Sequence, residues 1–496
     1  MKSNIKTEYD YIIVGAGMSG LAAGIYLSGQ GYQVLICEKH NKAGGYVHSF
    51  SRKKIYTFDS AVRIVAGAKH GLLADLLDSL EIKNRDFFIE LDDIYKTITP
   101  NFSFNSGRDL EAFKANLKAT FPKNKQDVDA IIDEMKSVYY DVLSVQKNER
   151  SILDAQYINK YRDDSFSELL NQFTENNNLK LAISTLWGFF GTIPEDASAI
   201  YYSYAILSFF IEKAYYVKGS FDTLTEALTK KFQENGGDLV YRAEVIAINI
   251  EEGSASGLVL KRKHMSVSAR KGIIASGDIL KTVENLVGEI YFPKRYLSKL
   301  KKLTLPFSVF QTYLATDLKK EQLDLAHENF YFADRSNSDI RSSFSNLEAD
   351  ISSFSISAPS LIDGSLTVDN STLLVLSTFV PYSVDGGWKN RKKVFEDALI
   401  KEASHVIGDL KKHILFQESG TPETMERYTQ NSGGSPFGWE QKKEQIFQRP
   451  NFATPLDKLY FTGHWTNNGG GIVSAILSSF NLVEYLKKSE KYTSVM

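Results

Sequence analysis

Near its start the chain carries an apolar run, Tyr11 to Val14, which breaks on glycines, resumes as LAAGIYLSGQG and returns as a second apolar run, QVLIC, ending at Glu38. Short apolar runs flanking a longer stretch of small and apolar residues predict strand, helix and strand in succession. GLLADLLDSLEI and DLEAFKANLKATF repeat apolar residues at three- and four-residue spacing and predict helices, whereas FSVFQTYLAT and TLLVLSTFV predict strands fit to floor a cavity. SAIYYSYAILSFFIEKAYY, residues 198 to 216, is densely aromatic, and most of it is expected to be core. Towards the end, LYFTG (459 to 463) predicts a strand, and Gly469 to Gly471 precede an apolar helical stretch. Three successive glycines carry a large entropic penalty and point to something that must approach the backbone closely.

Composition narrows the classes. With 496 residues, 43% hydrophobic and 24% charged, the chain is long enough for two or three globular domains. Lys plus Arg (58) nearly balances Asp plus Glu (60), so no global field favours nucleic acid. Cys37 is the single cysteine; it excludes an internal disulfide and sits in an apolar run that predicts a buried strand position. MKSNIKTEYDY lacks the apolar core of a secretory signal, and IIVGAGMSGLAAGIYL is too short and too glycine-rich to span a membrane, so a cytoplasmic protein is expected. No spacing suggests a metal site, and there is no G-x-S-x-G elbow and no P-loop.

The chemistry-bearing pattern is Gly15, Gly17 and Gly20 at G-x-G-x-x-G spacing between the first strand and its helix, with Glu38 eighteen residues past Gly20. The complete strand-helix-strand context makes this a strong dinucleotide signal. Gly15 permits the tight turn, Gly17 lets a pyrophosphate reach the backbone, and Gly20 lets helix and strand pack closely. Ser19 lies in the first helical turn, where free N–H groups meet phosphate. Glu38, followed by Lys39, can accept hydrogen bonds from ribose hydroxyls.

Beyond Glu38 the chain reads KHNKAGGYVHSF, and the E-x-x-x-x-x-G-G spacing to Gly44 and Gly45 resembles the extended fingerprint of FAD-binding flavoproteins such as phytoene desaturase, carotenoid isomerase, retinol saturase and monoamine oxidase. Tyr46 stands where many members have Arg or Ser. YTFDSAVRI (56 to 64) is similar to the family's next strand, with Phe58 and Asp59 matching its F-D. The stretch 217 to 248 resembles the turn, helix and strand returning to the adenine, which the resemblance places against the backbone of Val245; RKGIIASGD (270 to 278) follows it. TPETMERYTQNSGGSPFGWE (421 to 440), with Gly433, Gly434, Gly438 and Trp439, is similar to a segment of the phytoene desaturase and carotenoid isomerase branch. On these residues the chain is identified as a member of the phytoene desaturase-like FAD-dependent oxidoreductases.

The resemblance implies an α/β fold: a Rossmann-like FAD-binding domain, of the two-dinucleotide-binding-domain flavoprotein type, from residues 1–70, 215–290 and 415–496. A discontinuous mixed α+β substrate domain would come from 71–214, mainly helical, and 291–414, containing a sheet. It implies FAD as cofactor, with LYFTG running under the flavin, Gly463, His464, Trp465, Gly470, Gly471 and Ile472 as contacts, and the last helix aimed at the ring. His464 stands where the family commonly has an acid; a cofactor contact outweighs a catalytic base there, though both are expectations. Phe209, Phe210, Tyr215, Tyr216 and Trp439 are the expected substrate pocket. The implied chemistry is hydride transfer on a long apolar, polyene-like small molecule, as desaturation, saturation or cis-trans isomerisation. Oxidation of amines by O₂, and a flavin-holding protein without turnover, are the alternatives. Peripheral membrane contact and oligomeric state are left open.

Overall fold

A computed structural model describes residues 5–345 and 351–493. The predicted opening unit is present: strand Glu8–Val14, helix Met18–Ser28 and strand Val34–Cys37, the two strands parallel with Tyr11 opposite Val34 and Val14 opposite Cys37. The second strand is buried at every position, as its unbroken apolar run requires in a sheet covered on both faces. Asp238–Val240 adds beside it in parallel, and Met265–Ala275 adds on the other side of the first strand. The late strand Leu459–Phe461 pairs in parallel with the C-terminal part of Met265–Ala275, and the antiparallel hairpin Val245–Glu251 and Ser254–Leu260 completes a seven-stranded sheet. Segments from both ends of the chain therefore share one sheet.

The helix Met18–Ser28 is buried at all but one position because two helices cover it, Asp222–Glu234 and Ile472–Thr493. The Ser479 hydroxyl of the late helix donates to the Ser19 carbonyl (2.7 Å), bringing the first turn of the early helix against the late one.

A second seven-stranded sheet runs in the order Ile414–Gly420, Ser308–Thr316, Thr372–Val380, Ser353–Ser357, Glu328–Phe332, Tyr95–Ile98 and Ser103–Asn105. The two predicted strand runs, FSVFQTYLAT and TLLVLSTFV, are its paired centre, with Ser308 opposite Val380. One face packs Phe310, Leu374 and Leu376 against the helix Trp388–Ile407. Strand Ile414–Gly420, at the start of the third expected cofactor segment, pairs in this second sheet, and so do two strands from the expected helical insert. Apart from a further short strand, Phe88–Glu90, the regular structure in the rest of that insert is helical, with the predicted helices at Leu72–Ser79 and Leu110–Thr120. Among the described residues no helix is long and apolar enough to cross a membrane.

Candidate functional site

Both glycine loops open onto one cavity of about 640 Å³, whose lining runs from Glu38 and Val245 at one end to Phe189, Phe209 and Phe379 at the other. Among the expected cofactor residues, Gly15, Gly17, Ser19, Glu38, Lys39, Gly44, Gly45, Tyr46, Val245, His464, Gly470, Gly471 and Ile472 line it.

Each end of this row has its own physical reason. Gly15 takes φ +99°, a region that disfavours a side chain, as its backbone turns from strand to helix. A Cβ on Gly20 would sit 2.0 Å from the Gly15 carbonyl oxygen, so this glycine is fixed by close packing and does not itself face the cavity. At Gly17 a Cβ would meet nothing within 4 Å, so the glycine leaves room that the protein does not fill. Glu38 ends the second strand and is 8% exposed. One carboxylate oxygen accepts from the Ala16 N–H and the other from the His40 N–H, both at 2.8 Å, which fixes the group and leaves further lone pairs for a ligand diol.

At the opposite wall, the three late glycines answer to different neighbours. A Cβ on Gly469 would strike the Arg449 guanidinium at 2.6 Å, and one on Gly470 would press on Phe437 at 3.1 Å. Only at Gly471, with φ +104°, is the space beside the backbone open. The N-terminus of the helix Ile472–Thr493 follows at once, so its free N–H groups face the cavity.

Gly463 and Trp465 stand behind the wall. A Cβ on Gly463 would meet the Ser19 hydroxyl at 2.7 Å. The Trp465 indole packs edge-on to Trp439 (centroids 4.9 Å apart) and donates from Nε1 to the Asn431 side-chain oxygen at 2.7 Å. Between them His464 lines the cavity. Burial holds its imidazole down at about 4, so it is neutral at physiological pH, and its buried Nε2 has no protein partner among the described residues.

The aromatic expectations divide. Helix Ala199–Ile211 turns Tyr201, Tyr204, Ala205, Ser208 and Phe209 towards the cavity, a stripe at helical spacing. Phe210 lies on another face and stacks on Phe113, centroids 4.1 Å apart, so it is core and not pocket. Tyr215 and Tyr216, in the buried strand Ala214–Val217, are likewise core; the Tyr216 hydroxyl donates to Asp59 at 2.6 Å. Trp439 is fully buried and donates from Nε1 to the Trp465 carbonyl at 3.0 Å, away from the cavity.

Sequence reading missed the floor. Val309, Gln311, Ser355, Ser377 and Phe379, from three strands of the second sheet, line the cavity, and so does Arg63. The alternation of Ser377 and Phe379 in an apolar run is faint. Arg63 in SAVRIVAG is a lone cation in an apolar run, a hint that marks the residue but not its partners or its role. Among the described residues no cluster of His, Cys, Asp and Glu could hold a metal ion.

Comparison with known proteins agrees with this layout. Residues 13–80 match the family model described as an NAD(P)-binding Rossmann-like domain. Over 93% of its length the chain is 24% identical to a 4,4'-diapophytoene desaturase (4,4'-diapolycopene-forming) of Methylomonas sp, covering 92% of it. The identity to an all-trans-retinol 13,14-reductase of Danio rerio is also 24%, over 93% of this chain and 83% of the other. A chloroplastic prolycopene isomerase of Daucus carota is 22% identical over 95% of this chain and 78% of its own. Over nearly its whole length the chain is thus similar to a carotenoid desaturase, a retinol reductase and a prolycopene isomerase. Among solved structures, an oxidoreductase from Methanosarcina mazei superposes with a TM-score of 0.66 at 16% identity, over 96% of this chain and 99% of that one, and a putrescine oxidase bound to putrescine with 0.66 at 14%, over 97% and 99%. At that identity the likeness establishes the fold.

Proposed function

We propose that this phytoene desaturase-like oxidoreductase binds FAD in the cavity between its two glycine loops and acts there on a long apolar, polyene-like molecule. One observation carries the reading: the room beside Gly17 and Gly471, the Glu38 carboxylate and a largely aromatic and aliphatic end belong to the same cavity, so cofactor and substrate would meet without a dividing wall.

The residues fit FAD. Glu38 retains acceptor capacity for ribose hydroxyls, the helix Met18–Ser28 offers its N-terminal N–H groups to diphosphate, and the orphaned Nε2 of His464 can pair with a ribityl hydroxyl. When bound, FAD supplies hydride acceptance and donation. The chain does the rest. The N-terminus of Ile472–Thr493 stabilises negative charge that builds up at its end of the cavity, and Phe189, Phe209 and Phe379 exclude water. Burying hydrocarbon is worth about 0.8 kcal/mol per CH₂, so an extended apolar chain is held without many polar contacts. The same reading assigns cofactor binding to the first sheet with its two flanking glycine loops, and substrate binding to the second sheet with the helix Ala199–Ile211. Desaturation, saturation and isomerisation are all served by this arrangement, and the names of the relatives include all three.

The test is reconstitution of purified protein with FAD, then anaerobic addition of all-trans-retinol, lycopene or prolycopene while following flavin absorbance and product double bonds. Bleaching of the flavin or an altered polyene is expected. Colourless protein after reconstitution, or hydrogen peroxide released on amines with polyenes left unchanged, would overturn the reading.

A further inference from the structure

Apolar walls account for most of the far end of the cavity, but one charged group lies among them. Arg63 is 8% exposed, lines the cavity, and lies in the segment between the strands Tyr56–Asp59 and Val65–Ala66. Its guanidinium is held almost wholly by neutral groups. Nη1 donates to Ser355 Oγ at 3.2 Å and to Ser357 Oγ, and Nη2 donates to Ser377 Oγ. With its amide turned to satisfy both ends, Gln311 accepts from Nη2 at 2.8 Å while its nitrogen donates to the Ser60 carbonyl. The nearest carboxylate, Glu328, stands 3.6 Å from Nη1, too far for a hydrogen bond.

Glu328 is itself poorly matched to the cation. It accepts from the Ser357 hydroxyl at 2.7 Å, its Oε1 has no hydrogen-bond partner among the described residues, and burial pushes its carboxyl above the usual carboxylate range. Neighbouring His327 brings no charge: its Nε2 lies 2.9 Å from the Arg63 carbonyl, and burial keeps the ring neutral. Among the described residues, the hydroxyls of Ser355 and Ser377 accept from Arg63 and have no acceptor for their own protons. Both line the cavity. The other buried carboxylates lining the cavity are acceptors with donors of their own: Glu212 accepts from the Leu72 N–H and the Tyr139 hydroxyl, Asp278 from the Lys281 and Ser432 N–H groups, and Glu38 from the Ala16 and His40 N–H groups.

A cation held by hydroxyls, with donor protons left over and no directly bonded anion, is half of a binding site for acceptor oxygens. We propose that the Ser355 and Ser377 hydroxyls, with the Arg63 charge behind them and Gln311 holding the guanidinium in place, receive a carboxylate at one end of the substrate's apolar chain, so that the substrate class is a polyene acid and not a polyene hydrocarbon. The assignment rests on the cavity's being the substrate site, as argued under the proposed function.

The test uses FAD-reconstituted protein and two fluorescent probes of equal chain, cis-parinaric acid and its methyl ester. The acid is expected to bind about tenfold or more tighter than the ester, from charge-assisted hydrogen bonds the ester cannot make. Arg63→Met is expected to weaken the acid to the level of the ester with the ester unchanged, and Arg63→Lys to restore part of the difference. Equal binding of the two probes by the wild type, binding of neither, or a loss shared equally by both in Arg63→Met would overturn the proposal; if Arg63→Met does not fold, the wild-type and Arg63→Lys preferences decide. Flavin absorbance of the same samples reports separately on the underlying reading. A yellow protein without acid preference refutes only the carboxylate site, whereas a colourless one refutes the flavin assignment.

Discussion

At the scale of single residues, glycines that look alike in the sequence do unlike work. Gly17 leaves open room, whereas Gly20 exists because the Gly15 carbonyl lies 2.0 Å from where its Cβ would be. Gly17→Leu is therefore expected to abolish flavin retention with little change in the thermal midpoint of the apoprotein. Gly20→Ala should lose both, since overpacking of this kind costs about 1–3 kcal/mol. Visible absorbance per protein and a melting curve on each variant check the pair. For Glu38→Gln, removal of the charge at the proposed ribose contact is expected to weaken FAD binding about 10- to 100-fold, measurable by fluorescence titration. The acid at Glu38 was legible because spacing from a glycine motif is a strict constraint. Arg63 was not: its role depends on Ser355 and Ser377, nearly three hundred residues away or more, which no local pattern joins to it.

At the scale of elements, the helix Ala199–Ile211 and the strand after it show why a dense aromatic run is hard to read. Every residue of that run suits a core, and only the face of the helix separates Phe209, in the cavity wall, from Phe210, stacked on Phe113. Phe210→Ala is expected to cost about 3–5 kcal/mol of stability with the substrate affinity of the folded fraction unchanged. Phe209→Ala should instead alter affinity for an apolar ligand at a smaller cost in stability. Denaturant unfolding combined with the parinarate titration separates the two. The opening strand-helix-strand unit was legible down to its register of apolar runs. The short strands Tyr95–Ile98 and Ser103–Asn105 were not, because at three or four residues they carry too little periodicity, and the pairing of the first with Glu328–Phe332 is decided by tertiary contact.

For the molecule as a whole, buried ionisable groups tie stability to acidity. His464 is held from its ordinary 6.5 down to about 4, so between those values the unfolded chain takes up a proton that the folded one refuses. Its contribution is therefore fully present above pH 6.5 and is lost as pH falls, at no more than about 1.4 kcal/mol per pH unit. Asp59, raised by burial to about 6, runs the other way: folding favours its neutral form, and that contribution is lost as pH rises towards 6. The apoprotein of His464→Gln is expected to gain relative to wild type as pH drops from 7 to 5, and chemical denaturation at several pH values checks the sign.

The hydrogen bond from Ser479 to the Ser19 carbonyl also sets an order of events in the cell. The proposed diphosphate cradle is translated hundreds of residues before the helix that closes the opposite wall. During synthesis, then, the nascent polypeptide has half a cofactor site and must wait for its last helix to clear the ribosome before that site is complete. Any tag or fusion that hinders docking of this helix would produce a chain of full length that never turns yellow.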